Sequence, residues 1–182
     1  MALPSTLHHI DLHVAHADAG VNADVALKVA RHPSETIERL WLRVLAYAWR
    51  FREGIAFGPG LCEPEAPDVL ARALDGRTTL VVRVGRPDPQ RVERDVTGNS
   101  GAAVAVLFES PRRMQAFVTE ARERGLARIA SAELAAPDAA LVAALAMWDE
   151  RRVRVGFTFV ADHVYVDLPG ETLDGALERA AW

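Results

Sequence analysis

Residues 78–96, TTLVVRVGRPDPQRVERDV, hold the strongest candidate for chemistry in the chain. A short apolar run, Leu80-Val81-Val82 and Val84, is broken by one charge, Arg83. A charge inside such a run must be paired, because an isolated ion out of water is expensive. Two chemistries suit a guanidinium there: contact with an anionic ligand such as a phosphate or carboxylate, or an internal ion pair with an acid. Arg86 follows where the strand should give way to a helix, and that kind of junction is a favoured place for a site. A second grouping is His8, His9, Asp11, His13 and His16. A spacing of two along a strand puts His9, Asp11 and His13 on one face, and neutral imidazole is a good zinc ligand. An exposed hairpin face explains the cluster as well. Arg112, Arg113, Arg122, Arg124 and Arg128, and separately Arg91 and Arg94, are interleaved with Glu93, Asp95, Glu109, Glu120 and Glu123. Such mixtures read as solvated helix faces laced with ion pairs.

Composition narrows the classes. The chain has 182 residues, half hydrophobic and a quarter charged, with a formal net charge of −4, which suits one globular domain. No global basic field is present to hold nucleic acid, which leaves only a local arginine patch for that role. The lone Cys62 excludes an internal disulfide and any cysteine-based zinc site, and fits a reducing compartment. The start, MALPSTLHH, lacks a basic segment followed by an apolar one, and no apolar run reaches the roughly 18 residues of a membrane span, so a cytoplasmic protein is expected. Twenty of the 21 basic residues are arginine, the exception being Lys28. A mechanism that needs a neutral amine therefore has one candidate. No phosphate loop, dinucleotide fingerprint or GxSxG elbow occurs.

Alternation and turn chemistry predict strands at 7–14 and 23–29 joined as a hairpin, then a helix opening at His32-Pro33-Ser34-Glu35 and ending near Glu53-Gly54. A short strand at 55–57 precedes an acidic, proline-rich loop at 62–67. Strands at 69–74 and 79–84 should pair across the Asp75-Gly76 turn. Asp88 caps and Pro89 opens a helix at 89–97. A strand at 102–108, a helix at 111–124, a short strand at 128–131 and a helix at 137–150 follow. A hairpin of 153–160 with 163–168 closes the chain, and the tail at 171–182 suggests a peripheral helical turn or two.

The run Ala30-Arg31-His32-Pro33-Ser34-Glu35-Thr36, with Arg39 and Arg43-Val44-Leu45-Ala46-Tyr47, resembles the YaeQ family. So do Gly54-Ile55-Ala56-Phe57, Gly60-Leu61 and Val84-Gly85-Arg86-Pro87, and the likeness runs from residue 7 to about 172. It implies one domain over 1–182 with a variant of the PD-(D/E)XK, restriction-endonuclease-like fold. That is an α/β (α+β) architecture: a mixed central β-sheet flanked by helices, with an added N-terminal hairpin. Family members resemble metal-dependent nucleases without an assigned activity. In that superfamily, carboxylates on neighbouring strands hold Mg²⁺ and a lysine lies near the attacking water. Aligned on Gly85 and Pro87, the expected glutamate falls on Arg83 and the lysine on Gln90. The loop acid falls on Ala66 and the aspartate ending the preceding strand on Ala73. A guanidinium repels Mg²⁺, so the resemblance implies a catalytically degenerate binding or interaction module that needs no cofactor. Its candidate pocket is Glu35, Glu65, Asp68, Arg83 and Arg86, with Glu35 as the natural partner of Arg83. Its partner would be an anionic ligand or nucleic acid at a local arginine patch, or a protein; no membrane is implied. Two alternatives stay open. One is an active Mg²⁺-dependent nuclease using relocated carboxylates Glu35, Glu65 and Asp68; the other is a structural or oligomeric protein with no small ligand.

Overall fold

A computed structural model of the protein describes residues 5–63 and 65–182. The first four residues, part of the stretch read for a leader, and Pro64 of the acidic loop lie outside the described residues, as does the side chain of Cys62.

Strands β1 (Thr6–His16) and β2 (Val21–Arg31) form the N-terminal hairpin, and helix α1 (Ile37–Trp49) follows. Next come β3 (Ile55–Phe57), β4 (Val69–Arg72), β5 (Thr78–Gly85), α2 (Pro89–Gly98), β6 (Ala103–Phe108) and α3 (Pro111–Glu123). The chain ends with β7 (Glu133–Pro137), α4 (Ala139–Leu145), β8 (Arg152–Val160), β9 (His163–Leu168) and β10 (Glu171–Arg179). All ten strands join one mixed sheet in the order β2-β1-β8-β9-β10-β7-β6-β5-β4-β3. Pairs β1/β8, β5/β6 and β6/β7 are parallel and the rest antiparallel.

The sheet curls almost into a barrel around α1. Ten consecutive residues of that helix, Leu40 through Trp49, are buried, whereas a helix lying on a flat sheet buries only one stripe. Trp41 is fully enclosed and its indole N–H donates to the Trp148 carbonyl at 2.9 Å. The convex side carries α2 and α3 over a second core of Val81, Val92, Val106, Phe108, Met114 and Phe117. Strand β5 serves both cores, with Leu80, Val82 and Val84 facing in and Val81 facing out. It is buried on both faces, as its β-branched run predicts.

Four local expectations are corrected. The first helix begins at Ile37 behind a Thr36 cap, whose Oγ1 accepts from the Arg39 N–H at 3.3 Å, and it ends at Trp49. Glu35 therefore precedes the helix. Residues 127–131 are a 3-10 turn; the strand comes later, as β7, whose alanines carry little strand propensity and are recruited by pairing with β6. Pro137 ends that strand, and the helix after it spans only Ala139–Leu145. The tail at 171–182 is neither helical nor peripheral over most of its length. Its β10 pairs with β9 on one side and β7 on the other, joining the two halves of the sheet. Leu173, Gly175 and Leu177 alternate there, and a Cβ at Gly175 would stand 3.3 Å from Leu141, so the glycine lets α4 approach closely.

Candidate functional site

Where β5 ends at Gly85, the chain turns into α2 through Arg86 and Pro87, and Asp88 caps the helix by accepting from the Gln90 N–H at 2.8 Å. Gly85 adopts a φ of 87°, which suits the sharp strand-to-helix turn. This junction, the start of α1 and the 58–67 loop enclose a cleft of about 400 Å³. Its lining includes Arg39, Asp68, Arg83, Arg86, Arg91 and Glu109.

Arg83 projects from β5 beneath that loop with its side chain only 6% exposed. Its Nε donates to Asp95 Oδ2 at 2.5 Å and one terminal nitrogen to Asp95 Oδ1 at 3.0 Å, a bidentate pair with α2. The same guanidinium donates to the Glu65 carbonyl at 2.9 Å and the Ala66 carbonyl at 3.2 Å, which pins the loop to the sheet. A carboxylate within ion-pair reach of Arg83 was expected, but its identity is corrected: it is Asp95, and Glu35 points elsewhere. Asp95 lies three residues from the buried Val92 on the inward side of α2, and the packing of α2 over β5 is what brings it to Arg83.

Glu35 is buried between two arginines of α1. It accepts from Arg39 at 2.8 Å and from Arg43 at 3.0 and 3.1 Å. Arg43, fully buried, also donates to the Ala30 carbonyl at 3.1 Å. Arg39 carries the chain on to Asp68 Oδ1, and Asp68 Oδ2 accepts from the Val84 N–H at 2.8 Å. The result is a file of alternating charges, Arg43, Glu35, Arg39 and Asp68, running from the core to the cleft. Arg39 and Arg43 stood out in sequence only as part of the family likeness and not as site residues, because nothing in a helical stripe announces that the opposite side of the helix is also covered.

The remaining candidates scatter. Glu65 turns its carboxylate to Arg91. Arg86, 61% exposed, pairs with Glu109, which also meets Arg113 at 3.2 Å. Ala66 lines the cleft, while Gln90 lies exposed at the start of α2. Ala73 sits in the β4–β5 turn, at the other end of β5 from Gly85. The histidines split by strand alternation. His8 Nδ1 reaches the Glu150 carbonyl at 3.0 Å and His16 Nε2 the Ala48 carbonyl at 2.9 Å, whereas His13 pairs with Asp24 on the outer face at 2.9 Å. Among the described residues, no three His, Cys, Asp or Glu side chains converge in a way that could hold a metal ion. At the C-terminal end of α1, burial and then the Arg50 charge lower the pKa of Arg52, with Glu133 acting in the opposite direction.

The loop over the cleft depends on Gly58. A Cβ there would stand 1.9 Å from the Pro67 carbonyl oxygen, and the Gly58 N–H donates to the Asp68 carbonyl at 2.9 Å. Gly58→Ala is therefore expected to cost about 1–3 kcal/mol, read as a fall in urea midpoint at unchanged slope.

The fold and cleft define a mixed α+β protein with a strongly curled ten-stranded sheet and an arginine-rich junction at one end. The YaeQ protein family model matches residues 1–176, and the chain belongs to that family. It is 35% identical over 115 residues to Uncharacterized protein YaeQ of Escherichia coli (strain K12), a match covering 63% of this chain and 62% of that protein. It is 36% identical over 104 residues to the Salmonella typhi protein of the same name, covering 57% and 58% respectively. The chain thus spans less than two thirds of the length of these curated relatives. The crystal structure of YaeQ protein from Pseudomonas syringae superposes with a TM-score of 0.84 at 26% identity, over 100% of this chain and 98% of that one. The YaeQ protein from Xanthomonas axonopodis pv. citri gives 0.87 at 23% identity, over 97% and 98%, a likeness of fold. No helix among the described residues is long and apolar enough to cross a membrane.

Proposed function

We propose that this chain is a single-domain, cytoplasmic binding module built on a PD-(D/E)XK-like frame that has lost its metal-holding positions, and that its cleft takes an anionic group. The observation that carries this reading is the closed Arg83–Asp95 pair at the place where the frame would put a metal-binding glutamate. A cation there would face a guanidinium whose N–H groups are already given to Asp95 and two loop carbonyls. Asp68, buried beside β5, spends both oxygens on Arg39 and the Val84 N–H. Glu65 and Glu35 are turned to arginines, which weighs against a site rebuilt from relocated carboxylates. Arg86 is the group best suited to a ligand. Its pair with Glu109 is exposed and worth no more than about 1 kcal/mol, so a phosphate oxygen can compete for it.

Calorimetric titration tests both halves of the reading. Mg²⁺ and Mn²⁺ are expected to give no saturable heat, and pyrophosphate to give saturable binding that Arg86→Ala weakens by about tenfold, as loss of one charge-assisted contact would. Saturable Mn²⁺ binding that disappears in Asp68→Ala would overturn the proposal in favour of a nuclease.

A further inference from the structure

The sheet has two edges, and they are unequal. Strand β3 contributes only three residues, whereas β2 contributes eleven, with no proline and no bulge in its pairing with β1. A long, regular edge is a template for another strand, and proteins usually blunt such edges. The direction of the backbone groups on β2 follows from its neighbours. The N–H groups of His9 and Ala17 donate to Arg151 and Phe159 beside or in β8, so odd-numbered residues of β1 face β8 and even-numbered ones face β2. Their partners in register are Val29, Leu27, Val25, Ala23 and Val21. Asn22, Asp24, Ala26, Lys28 and Ala30 therefore turn their backbone N–H and C=O groups outward. The Ala30 carbonyl is taken by Arg43. Asn22, Asp24, Ala26 and Lys28 are all exposed, and Val21, Ala23 and Val25 on the inner face are only partly covered.

We infer that β2 pairs antiparallel with β2 of a second copy of this chain, about a two-fold axis at Ala26. In that register Asp24 of each copy stands directly opposite Lys28 of the other, and Ala26 meets its own copy with nothing bulkier than a methyl group. Opposite charges across an antiparallel pair stabilise it, and like charges destabilise it. Lys28, the only lysine of the chain, would repel a generic strand at this edge but is matched by Asp24 in a second copy. The partner also covers Val21, Ala23 and Val25. The contact is isologous and the remaining edge, β3, is short, so assembly closes at two copies. The shared strip is narrow, so the dimer is a weak one that appears with concentration.

Sedimentation velocity on the full chain across a micromolar to submillimolar series tests this, paired with amide exchange. The expected result is a shift from 19.8 kDa toward twice that mass, with the Asp24, Ala26 and Lys28 amides gaining protection as concentration rises. Ala26→Pro removes an outward N–H without touching the β1 ladder, and it should hold the protein monomeric at unchanged thermal midpoint. Lys28→Glu should do the same by charge, and the double variant Asp24→Lys/Lys28→Glu should dimerise again. A monomer at every concentration, a dimer whose β2 amides stay unprotected, or a double variant no better than Lys28→Glu would overturn the inference. Because Lys28→Glu changes only an exposed side chain, the charge arm stands even if Ala26→Pro fails to fold.

Discussion

Glu35→Ala is expected to destabilise the protein by about 3–5 kcal/mol, the scale seen when one partner of a buried ion pair is removed. Among the described residues, Glu35 is the only acid in contact with Arg43, whose guanidinium lies 5.5 Å over the Phe57 ring in the core and whose Nε has no acceptor there. Alanine would leave that charge buried with a single carbonyl for company. Arg39, a quarter exposed and still facing Asp68, would lose far less. Loss of the acid, more than loss of packing, sets the effect, so Glu35→Gln should recover only part of it, since an amide oxygen still accepts but carries no charge. The pair Glu35→Leu/Arg43→Met should recover most of the stability, because replacing both members of a buried pair with apolar groups is often neutral or better. Chemical denaturation of the four proteins measures this. If Glu35→Ala lies within about 1 kcal/mol of the parent, the file of charges is not what anchors the start of α1.

The contrast between Glu35 and Arg83 shows where sequence reasoning reached and where it stopped. That Arg83 must be paired followed from its place in Leu80-Val81-Val82-Arg83-Val84, since no buried strand tolerates a free charge. Which acid pairs with it depended on how α2 packs back across β5, and one-dimensional spacing does not carry that. Glu35 was the expected partner and Asp95 read only as one acid of a solvated helix face; tertiary packing reverses the two. The same limit explains the tail. Residues 171–179 have weak strand propensity and a central glycine, and they become β10 because β9 and β7 each offer a row of backbone partners. Strong local signals held: the Asp75-Gly76 turn, with the Arg77 N–H donating to Asp75 Oδ1 at 3.0 Å, the Asp88-Pro89 helix start, and the alternation of Ile10, Leu12 and Val14. What could not be read was curvature. A sheet that closes around α1 buries Arg43 on a side of the helix that a flat sheet would leave in water, and curvature is a property of the whole strand order.

Arg83→Ala is expected to cost about 2–4 kcal/mol, because it leaves Asp95 nearly buried without its partner and frees two loop carbonyls at once. Arg83→Lys should recover less than half, since one ammonium cannot span a bidentate carboxylate and the Glu65 and Ala66 carbonyls together. The loop supplies a readout that simple destabilisation does not move. Amides at 65–67 should exchange faster in Arg83→Ala by local opening, while those of β6 follow only the global change. The informative extreme is Arg83→Glu, which puts on β5 the acid that the proposed function would require of a metal-holding relative. In metal-free buffer it should be less stable than Arg83→Ala, because two carboxylates then face each other at Asp95. With Asp68 immediately before β4, the strand that pairs with β5, Mn²⁺ should raise the thermal midpoint of Arg83→Glu while leaving the parent unmoved, and adding Asp68→Asn should abolish that rise. A variant indifferent to Mn²⁺ would show that Arg83 is not what separates this cleft from a metal site, and would count against the metal-site origin proposed for it.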